Sequence, residues 1–199
     1  MVYLKPHDLY LLLYLQSLAG ARWTYATVSA ACGLSASEAN AAVKRALRSG
    51  LMREAVGAEP NPQPHQAALV EFMSHGVRYA FPAEVGSWVR GVPTAFGAPG
   101  LEHLTAGDQE HMLVWPSVRG TVKGLALTPL HGKAAFAVQQ APRFHVYLAL
   151  ADILRQASPR GREVAAIQLK MMIDGNGSTP PPGHHITEIG GGGAGSAGR

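Results

Sequence analysis

The chain has 199 residues and a mass of 21.0 kDa, the size of one to two domains. Its residues are 47% hydrophobic and only 15% charged, so it can bury a sizeable core beneath a charge-poor surface. A formal net charge of +4 permits contact with nucleic acid without requiring it. One cysteine, Cys32, excludes a disulfide framework and a four-cysteine zinc site.

The first element expected is a helix from Pro6 to Leu18. Its apolar run, Leu9 to Leu15, is far short of the roughly 20 residues that a membrane span requires. No secretory leader is recognised, so no membrane association is expected and the cytoplasm is the expected location. A short helix follows over Tyr25 to Cys32, with Thr24 as its cap and Gly33 closing it in a left-handed conformation. Leu34 plugs the space between helices. Ser35 then opens a third helix over 36–48, and Glu38 three positions on completes a capping box. Gly50-Leu51 ends that helix, and 51–55 is read as the first strand of a wing.

A short helix, a glycine-containing turn and a longer capped helix make a helix-turn-helix. The segments Trp23-Thr24-Tyr25, Cys32-Gly33-Leu34-Ser35 and Val43 to Leu51 resemble winged helix-turn-helix transcriptional regulators of the MarR-like kind. The resemblance covers about the first 50 residues and implies insertion of helix 36–48 into the DNA major groove. On that helix Ala39, Val43, Ala46 and Leu47 share the packing face. The opposite face carries Ser37, Asn40, Lys44, Arg45 and Arg48. Asn40 suits a bidentate bond to adenine, and Lys44 or Arg45 reaches guanine or phosphate. Ser35 and Ser37 near the helix start are candidate phosphate donors. Arg22 and Thr24 are candidate anchors on the flanking backbone. The competing reading is a solvated basic face on a winged helix that docks a protein.

Further along, Pro64 to His75 is expected to be a helix ended by Gly76. Short runs at Val77–Phe81, Trp88–Val92, Met112–Trp115 and Thr121–Leu127 read as strands, with intervening glycines and prolines favouring edge strands and irregular ribbons. Arg90-Gly91-Val92-Pro93-Thr94 reads as an irregular turn bearing a solvated arginine. A third reading is a ligand-sensing protein with its pocket among Trp88, Phe96 and Trp115. Residues 141–173 read as two amphipathic helices, the second capped by Ser158 with Pro159 at its first position. Arg155, Arg160 and Arg162 cluster near the break, as a phosphate or partner contact or as a solubilising loop. Residues 175–199, rich in Gly, Ser and Pro, read as a disordered tail.

No nucleophile elbow, phosphate loop, dinucleotide fingerprint or metal-ligand spacing is present, so no enzyme, no cofactor and no metal are expected. Cys32 reads as a buried small apolar residue. The expected fold is α+β: a winged helix-turn-helix DNA-binding domain over 1–80, then a strand-rich region with C-terminal helices over 81–174. The expected function is a sequence-specific DNA-binding transcriptional regulator, a repressor or autoregulator, working on double-stranded DNA as a homodimer through 141–173. The alternative is a non-catalytic, antitoxin-like subunit that uses the winged helix to hold a protein partner.

Overall fold

The computed structural model describes residues 3–104 and 111–175; the expected disordered tail lies, but for Gly175, outside the described residues. The molecule is a mixed α+β protein whose N-terminal part is helical. Helix α1 (Pro6–Ser17) starts with proline at its first position, where no backbone donor is needed. Asp8 accepts from the Lys5 amide at 2.8 Å, which closes the first turn. The helix is apolar nearly all round, with Leu9 to Leu13 and Leu15 buried, and a helix of that composition belongs inside a protein.

Helices α2 (Tyr25–Cys32) and α3 (Ala36–Arg48) fall where their caps predict. Gly33 sits at φ 67°, a conformation that costs a side-chain-bearing residue strain, and it lets the Leu34 amide return to Ser29 O at 3.0 Å. Strands β1 (Met52–Arg53) and β2 (Gln63–Pro64) then form a small antiparallel hairpin with Met52 opposite Pro64.

The middle departs from expectation in three places. Val77–Phe81 is not a strand: α4 (Gln66–Glu71) passes through a π-helical turn (Phe72–Gly76) into α5 (Val77–Ala80). Gly76 therefore does not stop the helix. The reason is tertiary, since Met73 and Val77 are both buried in the common core. The Arg90 to Thr94 segment is likewise not a turn but the second half of strand β3 (Val85–Thr94).

β3 pairs antiparallel with both β4 (Leu113–Pro116) and β5 (Val122–Leu127), which pair parallel with each other, so three strands close on themselves. This closure leaves no room for side chains at its tightest points. A Cβ on Gly91 would strike the Trp115 carbonyl, one on Gly120 the Gly91 backbone, and one on Gly124 the Met112 carbonyl. The prolines that suggested free edges are accommodated in this ring, Pro93 opposite Val114 and Pro116 opposite Gly91.

Helix α6 (Ala134–Ala137) leads to α7 (Pro142–Gln156) and α8 (Pro159–Ile173). Ser158 accepts from the Gly161 amide at 3.1 Å, so the break is capped as its sequence indicates. The expectation that α7 is amphipathic is corrected: every residue from Phe144 to Arg155 is buried. α7 is the central helix of the molecule. One continuous core runs from Leu9 on α1 to Ile173 on α8 and crosses residue 80 without a break in packing.

α7 also carries polar groups inward. Asp152 accepts from Thr94 Oγ1 and Trp115 Nε1, both at 2.7 Å, and pairs with Arg155 at 2.7 Å. Burial pushes the Asp152 carboxyl up from its ordinary range, while Arg155 and the two donors pull it back. Arg155 donates further to Phe81 O at 2.7 Å and Thr128 O at 3.0 Å. It therefore belongs to the interior, not to a phosphate-contacting cluster with Arg160 and Arg162.

Candidate nucleic-acid interface

The candidate surface is the outer side of α3 and the start of α2. On α3, Ala39, Ala42, Val43 and Ala46 are buried and Leu47 is half-buried, which turns the opposite stripe outward. Ser37, Lys44 and Arg48 are exposed there, with Asn40 and Ala41 half-buried between them. The spacing 37, 40, 44, 48 follows one face of a helix. Arg22 is exposed on the segment that leads into α2. Among the described residues, none of Arg22, Lys44 and Arg48 is in an ion pair.

Three of the eight expected contact residues are engaged internally. Arg45 grips Asp8 in a two-pronged pair, Nε to Oδ2 at 2.7 Å and Nη2 to Oδ1 at 2.6 Å. Its side chain is 18% exposed, and Nη2 also lies 3.0 Å from His7 Nε2. The Asp8 carboxylate raises the already high guanidinium pKa. Arg45 is thus a bolt between α1 and α3. Ser35 donates its hydroxyl to Glu38 Oε2 at 2.7 Å and accepts from the Glu38 amide at 3.2 Å. These bonds, with the Ser35 amide first, hold the Glu38 carboxyl below its usual range and place a negative charge at the helix start. That charge disfavours a phosphate there. The Thr24 hydroxyl caps α2 by accepting from the Thr27 amide at 3.1 Å.

The described hairpin presents no unpaired cation to a phosphate. Arg53, the only cation in 51–64, forms a two-pronged pair with Glu59 at 2.6 Å on both oxygens. Arg53, followed by the Val56 amide, pulls the Glu59 carboxyl down to about 2. Glu54 lies close enough to Tyr25 to raise its phenol, an effect led by burial. Asn61 ties the hairpin loop to the start of α2 by accepting from the Trp23 amide at 3.2 Å.

Sequence reasoning missed the neighbours of the turn. The Lys133 stem lies where a Cβ on Gly33 would approach its Cγ to 2.9 Å. His131 packs on Tyr10 with ring centroids 4.9 Å apart, and burial, followed by His7, lowers its pKa. Residues about a hundred positions away leave no local mark on the turn they cover.

The other candidates separate cleanly. Cys32 is buried, and burial pushes its thiol up to about 12, so it is no nucleophile at neutral pH. Trp88 is 59% exposed while Phe96 and Trp115 are in the core, so the three line no common pocket. A cleft of about 440 Å³ lies between α1, the hairpin and α4, with the paired Arg53 and Glu59 in its wall. Among the described residues no group of three or more His, Cys, Asp or Glu is placed to hold a metal. None of the described helices is long and apolar enough to cross a membrane. No protein-family model, curated protein or solved structure matches the chain.

Proposed function

We propose that this chain is a winged helix-turn-helix, sequence-specific transcriptional regulator, a repressor or autoregulator in the cytoplasm, that reads duplex DNA with α3. The observation that carries the reading is the outward stripe of Ser37, Asn40, Lys44 and Arg48 on a helix capped at Ser35 and set by the Gly33 turn. Small residues beside it, Ala36 and Ala41, allow close approach to base edges. Asn40 reads a base, Lys44 and Arg48 meet phosphate or guanine, Ser37 donates near the helix start, and Arg22 anchors the flanking strand. Arg45 and Ser35 hold the helix in place, and the hairpin stays off the backbone.

Fluorescence anisotropy against duplex DNA from upstream of its own gene, beside a scrambled duplex, tests this. Asn40→Ala is expected to cost roughly 1–3 kcal/mol on the specific site and little on the scrambled one, whereas Lys44→Ala weakens both alike. With three phosphate contacts per protomer the salt slope is about −2.7 for each protomer bound. Unchanged affinity in both variants, or equal binding to the two duplexes, rejects groove reading.

A homodimer suits such a reader, since it spaces two recognition helices by about one turn of DNA. With α7 interior, only the outer side of α8 is available for the expected interface, where Ile167 is 56% and Met171 44% exposed. Light scattering is expected to report a dimer that Ile167→Lys converts to monomer; a wild-type monomer removes this interface. The acidic hairpin favours a second reading, an antitoxin-like subunit that docks a protein through the same head. Co-purification of a neighbour-encoded product, with no affinity for upstream DNA, would select it.

A further inference from the structure

The first half of β3 and its partner β5 form a ribbon that sets exposed cations beside an exposed indole. Trp88 stands opposite Leu125, and Arg90 opposite Lys123. Cross-strand partners share a face, as do residues two apart on one strand. Trp88, Arg90, Lys123 and Leu125 therefore make one face. Arg119 lies exposed in the turn after β4, which is bound to β3 by the Ser117 amide donating to Arg90 O at 3.1 Å.

Trp88 is 59% exposed, while Trp23 and Trp115 are buried. Arg90, Arg119 and Lys123 are exposed, and none is in an ion pair among the described residues. Glu84 lies at the other end of the ribbon, roughly 20 Å from Arg90 at about 3.3 Å per residue. Two cations directly opposite each other destabilise a strand pair, and the Trp88 indole, though tilted against the His111 ring with centroids 5.5 Å apart, keeps more than half of its surface open to solvent. A ligand that relieves both is a polyanion with flat rings.

We propose that this ribbon binds single-stranded nucleic acid, with phosphates between Arg90, Lys123 and Arg119 and an unpaired base stacked on Trp88. A duplex keeps its bases stacked on one another and offers the indole no ring face, which a single strand does. The proposal rests on residues separate from α3 and stands whether or not α3 reads DNA.

The test is anisotropy of a fluorescein-labelled twelve-nucleotide oligothymidylate with the full chain. Trp88→Ala is expected to weaken binding at least about fivefold, and Trp88→Phe to retain most of it, as stacking requires. The double variant Arg90→Gln/Lys123→Gln should reduce the magnitude of the salt slope by about 1.4, at about 0.7 per single-strand phosphate. Lys44→Ala/Arg48→Ala should bind the oligomer as the wild type does. Circular dichroism checks that the exposed substitutions leave the fold intact. The proposal is overturned if the oligomer does not bind, if Trp88→Ala matches the wild type, or if the α3 variant alone loses binding. Equal affinity for the same sequence as duplex, or preferential binding to phosphatidylserine vesicles, overturns it too and assigns the face to those partners.

Discussion

Arg45 and Lys44 are adjacent cations on one helix with opposite fates. A rotation of about 100° per residue turns Arg45 toward the buried Asp8 and Lys44 toward solvent. Removing one partner of such a pair strands the other, and Asp8 has no exposure at all. Asp8→Ala and Arg45→Ala are each expected to lower stability by about 2–3 kcal/mol, less than a fully buried pair because the arginine is partly wet. The double variant should cost far less than the sum in urea titrations; strict additivity would mean that the pair does not bind α1 to α3. Arg45→Ala should also spare DNA affinity where Lys44→Ala does not, so one pair of neighbours separates scaffold from contact.

At the scale of elements, the three-stranded closure rests on glycine. Gly91→Ala is expected to cost about 3 kcal/mol or more, because its new methyl meets backbone and not a movable side chain. Gly86→Ala on the same strand places its Cβ 3.4 Å from the Ala126 methyl, an ordinary contact, and should be nearly neutral in the same thermal melts. Equal effects at the two positions would refute the closure. Elements were legible in the sequence where their decisive bonds are local. The Ser35–Glu38 box, the Gly33 turn and the Ser158-Pro159 start each span three or four residues, and each lies where its pattern predicts. Val77 to Phe81 misled because its alternation is that of a strand, while the burial of Val77 in the common core decides for helix. The outward stripe of α3 was legible as helical spacing; the loss of Arg45 from it was not, since Asp8 lies 37 residues away.

The whole molecule depends on what α7 carries inside. His145 is buried, its Nε2 is 2.8 Å from Pro93 O, and its ring lies 5.3 Å from that of Trp115. Burial lowers its pKa from 6.5 against a weaker opposing effect of the Pro93 carbonyl, so the neutral ring donates from Nε2 at pH 7. A histidine with a depressed folded pKa contributes stability that is fully present above 6.5 and lost as pH falls toward the folded value. Urea midpoints are therefore expected to fall on going from pH 7.5 to 5.5, and by less in His145→Gln. His131 acts in the same sense and the raised Asp152 in the opposite one, so the difference between variant and wild type is the readout. An identical pH dependence in the two proteins would remove His145 from the account.

The central place of α7 has a consequence for how the chain is made. α1 emerges from the ribosome well over a hundred residues before Phe144 on α7, against which Tyr10 and Tyr14 pack. At about 5–20 residues per second, the leucine-rich face of α1 waits on the order of ten seconds for its cover. During that interval the N-terminal head is a client for any chaperone that holds exposed apolar helices. A message truncated before α7 should yield a chain destined for proteolysis, so the newborn protein completes the packing of its N-terminal helices only when α7 has been translated.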